Sequence, residues 1–259
     1  MAATVAPPSW PAAHAAGFRI SVIVPTLNEA ERLPLLLASL KAQTVPPDEI
    51  LIADSGSTDG TVEIASASGA RVLHGERKGP GEGRNRGARG SSGDLLVFVD
   101  ADCVVPRDLL EAVRLAAADP AVIGGAASFS PEEGTPTERL LYFLANGYQR
   151  AAILWGMPHN AGYCFFFRRD TFERLGGIRE DLLLNETHDV ALRSRGLGRF
   201  VALPVTVRTS MRRLRAHGLR RTVLWEYVTS TLLYYVTGQA PRILFRPTPV
   251  RTVASDKRA

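Results

Sequence analysis

Asp100-Ala101-Asp102 sets two carboxylates at the end of the apolar run Leu95-Leu96-Val97-Phe98-Val99. Alternate residues of an extended chain point the same way, so the two acids are expected side by side. Charges that close repel, and a hard divalent cation neutralises them well. Mg2+ and Mn2+ favour carboxylate, water and phosphate oxygens. The chemistry this predicts is a metal bridging Asp102, with Asp100 beside it, to a diphosphate. An isolated Asp-x-Asp is more often a solvated turn after a strand, so the reading depends on what accompanies it.

The apolar run must be a strand buried on both faces for those acids to reach a ligand site. Strands of parallel sheets read this way, and open α/β sheets bind ligands at the carboxyl ends of their strands. Arg19 to Pro25 is a β-branched run that predicts the first such strand, followed by Thr26-Leu27-Asn28-Glu29. Asn28 is a natural cap for the next helix, with Glu31 as its capping-box partner and Leu33, Leu36, Leu37 and Leu40 on one apolar face. Capping alone explains Asn28 and Glu31, and a structural role explains Glu29 less well. Glu49 to Asp54 reads as a second strand, and Asp54 ends it as Asp100 ends the organising one. A carboxylate there can accept from a nucleobase N–H or a ribose hydroxyl, whereas Asp59 reads as a turn or cap residue. After a short strand at Arg71 to His74, the segment Lys78 to Gly90 is glycine-rich and basic. It is expected as a loop that approaches phosphate through backbone N–H groups and guanidinium. It contains no G-x-x-x-x-G-K-[ST], and no strand leads straight into it as a dinucleotide fingerprint requires.

Further on, Pro106 is placed to open a helix through about Ala118, and Ala121 to Phe129 predicts a strand. Thr137 to Trp155 predicts a long helix carrying Leu140, Leu141, Phe143, Leu144, Tyr148 and Ile153, whose aromatics read as core. Tyr163 to Phe167 is a further apolar run, and a short helix opening at Arg168-Arg169-Asp170 should stop at Gly176-Gly177. In Asn185-Glu186-Thr187-His188-Asp189, Asp189 lies four residues before Arg193. That spacing permits an ordinary helix ion pair worth about 0.3–0.5 kcal/mol. It equally permits an acid at a helix start facing a cleft as general base. Leu224, Tyr227, Val228, Thr231, Leu232 and Tyr235 form a late helical stripe expected in the core, with a basic membrane-surface helix as its other reading.

The 259 residues, 45% hydrophobic and 22% charged, allow one sizeable globular domain with an appendage. The net charge of +5 is local: from Val205 onward there are eleven Lys/Arg against two Asp/Glu. Anionic partners are implied, with no nucleic acid expected. Cys103 and Cys164 offer neither a disulfide framework nor zinc spacing, and read as small core residues in a reducing compartment. The N-terminus lacks a basic n-region and an apolar h-region, and no run of about 18 apolar residues occurs, so neither a signal peptide nor a membrane span is expected. A cytoplasmic location follows, peripheral on the inner membrane face if the basic C-terminal region makes such a contact.

Taken together, four clusters resemble the nucleotide-sugar half of family 2 glycosyltransferases of the GT-A fold. They are Val24-Pro25-Thr26-Leu27-Asn28-Glu29, Asp54 to Thr61, Gly83-Arg84-Asn85-Arg86-Gly87-Ala88 and Asp100-Ala101-Asp102. The resemblance runs in order from about Ile20 to Leu110. It implies a doubly wound, mostly parallel α/β sheet flanked by helices, with a C-terminal helical extension. The implied boundaries are a disordered lead-in at 1–17, a GT-A domain at 18–210 and a basic helical extension at 211–259. Within the domain, 18–110 would form the nucleotide-sugar half and 111–210 the acceptor half.

Roles carry over by position. Pro25, Glu29 and Asp54 would line the uridine pocket, Arg84 would reach the nucleotide, Asp100 would lie near the ribose or metal, and Asp102 would hold Mg2+ or Mn2+ under the diphosphate. Where the family carries a Glu-Asp pair whose Asp is the base of inverting members, this chain reads His188-Asp189. Asp189 is therefore the expected base, with Glu186 as its alternative. Thr209-Ser210-Met211-Arg212-Arg213 is similar to a Thr-Ser-Ala-Arg-Arg stretch of a bacterial subgroup, and His217 is a candidate late metal ligand. The implied activity is inverting, metal-dependent transfer from a UDP-sugar to an acceptor hydroxyl. Acceptors compatible with the basic tail are a phosphorylated small molecule, a lipid phosphate or a glycan. A sugar-phosphate nucleotidyltransferase would need a glycine-rich basic loop after its first strand, where Pro25-Thr26-Leu27-Asn28-Glu29 stands. A non-catalytic nucleotide-sugar binder would keep Asp54 and Asp102 without needing a base.

Overall fold

A computed structural model of the chain describes residues 17–182, 184–212, 215, 218 and 229–238. The lead-in before residue 17, Arg213, His217, the stripe residues Leu224, Tyr227 and Val228, and most of the basic tail lie outside the described residues.

The β-branched and apolar runs form β1 (Ile20–Thr26), β2 (Glu49–Asp54), β3 (Arg71–His74) and β4 (Leu95–Val99). These four pair in parallel in the order β3-β2-β1-β4. Beyond β4 the sheet becomes mixed. The strands β7 (Cys164–Arg168) and β6 (Val122–Pro131) follow, each antiparallel to its inner neighbour. Then β8 (Arg199–Thr209) runs parallel to β6, and the short β5 (Cys103–Val104) closes the edge antiparallel to β8. The α/β class and the doubly wound first half agree with the sequence expectation. The reversal at β7 has a topological effect: β8 returns past the carboxyl end of β4, where Cys103 pairs with Thr209.

Every residue of β4 is fully buried, as a two-sided strand requires. Alternate side chains serve opposite layers. Val97 and Val99 join Leu33, Leu36 and Leu40 of α1 (Leu33–Lys41) and Leu110 and Val113 of α4 (Leu109–Ala117). Leu96 and Phe98 face the other way, onto Phe165, Phe167 and Phe172. Phe98 stacks on Phe165 with ring centroids 4.8 Å apart. Truncating such a ring costs about 3–5 kcal/mol. Cys103 and Cys164 are free thiols buried in this core.

Three local expectations are corrected. The segment Lys78 to Gly90 is mostly not a loop: α3 spans Pro80–Gly90. Its glycines are packing devices. A Cβ on Gly87 would stand 2.3 Å from Ile23, and one on Gly83 3.4 Å from Pro25, so the helix axis can approach the sheet closely. Second, Asn28 is not a helix cap. The position before α1 is Arg32, which makes no side-chain capping bond. Asn28 takes a left-handed backbone (φ 56°), and its Oδ1 accepts from the Thr58 N–H at 2.9 Å while its own N–H donates to Ser57 at 2.8 Å. It therefore stitches the exits of β1 and β2 together. Third, the aromatics Phe143 and Tyr148 of α5 (Pro136–Leu154) are exposed rather than core, as are Leu232 and Tyr235 of α8 (Ser230–Thr237). The remaining helices are α2 (Thr61–Ala67), α6 (Arg169–Arg174) and α7 (Glu186–Arg193).

Candidate active site

Helix α3 organises the site through three consecutive residues. Successive side chains on an α-helix diverge by about 100°, so each reaches a different element. Arg84 is buried and reaches the carboxyl end of β4, donating to Asp100 at 2.6 Å, and α7, donating to Glu186 at 2.9 Å. Asn85 grips the chain before α7, donating to the Ile178 carbonyl at 2.8 Å and accepting its N–H at 2.9 Å. Arg86 donates to the Asp54 carbonyl at the end of β2 at 2.9 Å and pairs with Glu82. The two carboxylates hold the Arg84 guanidinium firmly charged against its burial.

Asp100 and Asp102 lie in the turn between β4 and β5 rather than side by side on a strand. The end of β8 lies against that turn, with the Ser210 N–H donating to the Asp102 carbonyl at 3.2 Å. Burial, then the charges of Asp100 and Glu29, raise the Asp102 carboxyl to about 7, against the pull of Arg212 and Arg32. Arg212 lies just past β8 and reaches back to Glu29 at 2.6 Å. Burial raises the Glu29 carboxyl further than this arginine lowers it. In the sequence Arg212 stands out only as part of the Thr209 to Arg213 stretch. Its partner is separated by 183 residues, and no local signal could assign it.

Among the described residues, no group of three or more His, Cys, Asp or Glu is arranged to hold a metal alone. The donor set nevertheless fits a hard divalent cation. The charges of Asp100 and Glu29 leave Asp102 short of positive charge, and Mg2+ and Mn2+ are commonly bound by one or two carboxylates, with water and substrate phosphates completing the shell.

Asp54 is buried at the end of β2 and accepts from Thr26 Oγ1 at 3.0 Å, the Gly56 N–H at 3.0 Å, the Ser57 N–H at 2.9 Å and Ser57 Oγ at 2.5 Å. Burial pushes this carboxyl up, but the hydrogen bonds outweigh it and hold the group below its ordinary range. Pro25 lies beside it in register, opposite Ala53, and faces Gly83 of α3. Pro25, Asp54, Glu29, Asp100, Asp102 and Arg84 thus all belong to the carboxyl edge of β1, β2 and β4 and the helix packed over it.

The two candidate bases on α7 have different surroundings. Asp189 is buried, and both its oxygens are engaged: Oδ2 accepts from Arg193 at 2.6 Å and Oδ1 from the Tyr234 hydroxyl at 2.7 Å. The Arg179 guanidinium is 3.7 Å away. The ordinary i, i+4 ion pair allowed by the spacing is therefore present within α7, and the Tyr234 hydroxyl ties Asp189 to α8. Arg193 also donates to the Leu175 and Gly177 carbonyls, each at 2.6 Å. Glu186, at the first turn of α7, bonds instead to Arg84, in the same buried cluster as Asp100. Burial raises its carboxyl despite Arg84.

The family model described as glycosyl transferase family 2 matches residues 21–176. AglE, a glycosyltransferase of Haloferax volcanii, is 35% identical over 175 residues, covering 63% of this chain and 57% of that protein. Glucosyl-3-phosphoglycerate synthase of Mycobacterium tuberculosis is 40% identical over 103 residues, 36% of this chain and 32% of that one. The chain thus spans only part of the length of the curated relatives it matches. The mannosyltransferase PcManGT of Pyrobaculum calidifontis, solved with GDP-Man and Mn2+, superposes with a TM-score of 0.58 at 28% identity, over 73% of this chain and 56% of that one. S. aureus TarS, solved with UDP-GlcNAc, is similar in fold, with a TM-score of 0.60 at 19% identity over 74% and 58% of the two chains.

Proposed function

The chain belongs to glycosyltransferase family 2, and from that premise we propose that it moves a sugar from a nucleotide-sugar, a UDP-sugar first among candidates, to an acceptor hydroxyl with inversion at the anomeric carbon. The observation that carries this is the buried bridge in which one guanidinium, Arg84, joins Asp100 at the end of β4 to Glu186 on α7. It couples the edge proposed for the donor to a carboxylate on the side proposed for the acceptor. The domain boundaries at residues 17–18 and 210–211 are part of the same proposal.

In this reading, Pro25, Glu29 and Asp54 line the base and ribose end of the donor, and Asp102 is the carboxylate that would hold Mg2+ or Mn2+, with Asp100 beside it. Such a cation, when bound, supplies positive charge against the departing diphosphate. Arg84 and Arg212 provide fixed positive charge at the same end. The base is assigned to Glu186 rather than Asp189. Asp189 already accepts from Arg193 and Tyr234, whereas Glu186 has a raised pKa and a place in the Arg84 cluster. Glu186 takes the proton of the acceptor hydroxyl as its oxygen bonds to the anomeric carbon. The bond from that carbon to the diphosphate breaks on the opposite side, and the nucleoside diphosphate leaves with the electron pair.

The acceptor is proposed as a phosphorylated small molecule, a lipid phosphate or a glycan. The resemblance to a synthase named for 3-phosphoglycerate puts phosphorylated acids first in the screen. The test is release of nucleoside diphosphate from UDP- and GDP-sugars with Mn2+ across that acceptor panel. Glu186→Gln should lower turnover by about 10²–10⁴-fold. Full turnover in that variant, or retention at the anomeric carbon by NMR, would remove Glu186 as base. Binding without any turnover would leave a nucleotide-sugar binder.

A further inference from the structure

Helix α5 shows an unusual distribution. Beside Tyr142, Ala152 and Ile153, its inward side includes polar side chains that are sewn to the sheet. Asn146 donates to the Phe129 carbonyl at 2.7 Å and accepts the Phe129 N–H at 3.0 Å. Gln149 donates to the Ala127 carbonyl at 3.0 Å and accepts the Ala161 N–H at 3.1 Å. Glu138, the only acid of the helix, is buried in a capping box with Thr135. Apart from Thr137, Arg139 and Arg150, the outward side chains are apolar. Phe143 is 72% exposed, Leu154 84% and Trp155 83%, with Leu144 and Tyr148 exposed between them. A water-facing helix normally shows the reverse pattern.

The face does not end with α5. Tyr148 packs on His159, His159 on His188 and His188 on Tyr235, so α8 lies beside it, and there Leu232 is 62% and Val236 85% exposed. An apolar surface shared by two helices marks an interaction site rather than scattered exposure. It also borders the proposed acceptor side: Tyr148 packs on His159, His159 on His188, and His188 is two residues from Glu186.

We propose that the outer face of α5 and α8 docks on an anionic lipid bilayer, with the helices lying in the plane of the headgroups. Charge selects this occupant. The exposed charged residues of α5, Arg139 and Arg150, are both cationic. The sequence after α8 adds Arg242, Arg246, Arg251, Lys257 and Arg258 against Asp256. Aromatic residues at the edge of an apolar stripe and arginines flanking it suit an interfacial helix on negatively charged lipid. No helix among the described residues is long and apolar enough to cross a membrane, so the contact is peripheral. It leaves the acceptor side of the site beside the headgroups.

The test is flotation of the full chain with vesicles of phosphatidylcholine containing phosphatidylglycerol, at physiological salt. Wild type should float with the vesicles, and in a Trp10→Phe/Trp225→Phe background the emission of Trp155 should shift to the blue. Phe143→Ser/Leu144→Ser and, separately, Trp155→Ser should each weaken partitioning about tenfold or more, since each removes apolar area from the lipid contact. Their UDP–Mn2+ thermal shift should match wild type, which separates loss of docking from loss of fold. No flotation at any phosphatidylglycerol content would overturn the proposal. So would flotation unchanged in both variants, which would assign binding to the basic tail alone. A wild-type dimer that the variants convert to monomer would assign the face to self-association instead. These readouts need no turnover, so failure of the transfer reading leaves them interpretable.

Discussion

The Arg84 guanidinium stands 2.9 Å from the Glu186 carboxylate and ties α3 to α7 across 102 residues of sequence. With Asp100 as its other partner, Arg84 is the only side chain in the described cluster that touches both the end of β4 and the start of α7. Lysine cannot reproduce this, because an ammonium is a point charge and lacks the planar fork. Arg84→Lys should therefore keep the fold but lower turnover by about 10²-fold, comparable to losing one oriented donor of transition-state charge. Arg84→Ala should also destabilise by about 3–5 kcal/mol, because it leaves carboxylates facing each other without a counter-charge. Urea unfolding and steady-state kinetics separate the two effects.

Asp189→Asn tests the reassignment of the base. Asp189 is bonded to Arg193 and Tyr234, so its loss should loosen α7 and α8. The expected cost is about 2–4 kcal/mol of stability. Turnover at low temperature should fall less than about tenfold, well short of the loss expected for removing a general base. Tyr234→Phe should show the same pattern, more weakly.

Asp102 predicts a pH signature. Its carboxyl is raised from 3.8 to about 7, so the folded chain binds a proton that the unfolded chain has released over that interval. Metal-free stability should therefore fall as pH rises from about 4 to 7. The group is partly exposed, so solvent screening limits the effect to the order of 2 kcal/mol. Asp102→Asn should flatten that slope and raise the metal-free melting temperature at pH 8, while abolishing metal-dependent nucleotide binding. Thermal scans from pH 4.5 to 8 with EDTA test all three.

Gly87→Ala tests the close packing of α3. Alanine is the better helix former by about 1 kcal/mol. Its Cβ would nonetheless stand 2.3 Å from Ile23 on β1, so α3 must move off the sheet. The net change should be a loss of about 1–3 kcal/mol, together with weaker nucleotide binding, since Arg84, Asn85 and Arg86 move with the helix. A neutral or stabilising result would contradict this account of the glycines.

The sequence made the carboxyl edge legible because the apolar runs Ile50 to Ala53 and Leu95 to Val99 lead straight into acids, and Glu29 follows shortly after the run that ends at Pro25. Pro25, Glu29, Asp54, Asp100 and Asp102 could be placed from that pattern alone. Helix α3 could not. Glycine is a poor helix former, and only the proximity of Ile23 and Pro25 explains Gly83 and Gly87. Asp189 was ambiguous for a related reason: i, i+4 spacing from Arg193 cannot say whether the acid faces a cleft or α8. The partners Glu186 of Arg84 and Glu29 of Arg212 are far apart in sequence. The outward face of α5 was misread because periodicity shows that one face is apolar but not which way it points.

The most direct test of the central claim is a thermal-shift series with UDP, GDP, CDP, dTDP and ADP, each with Mn2+ and with EDTA, on wild type and Asp102→Asn. A ligand that binds only the native state raises the melting temperature with its concentration. The account predicts a shift with UDP and Mn2+ that disappears with EDTA and in the variant. No metal-dependent shift with any of the nucleotides would contradict the diphosphate site at Asp102, and with it the proposed transfer.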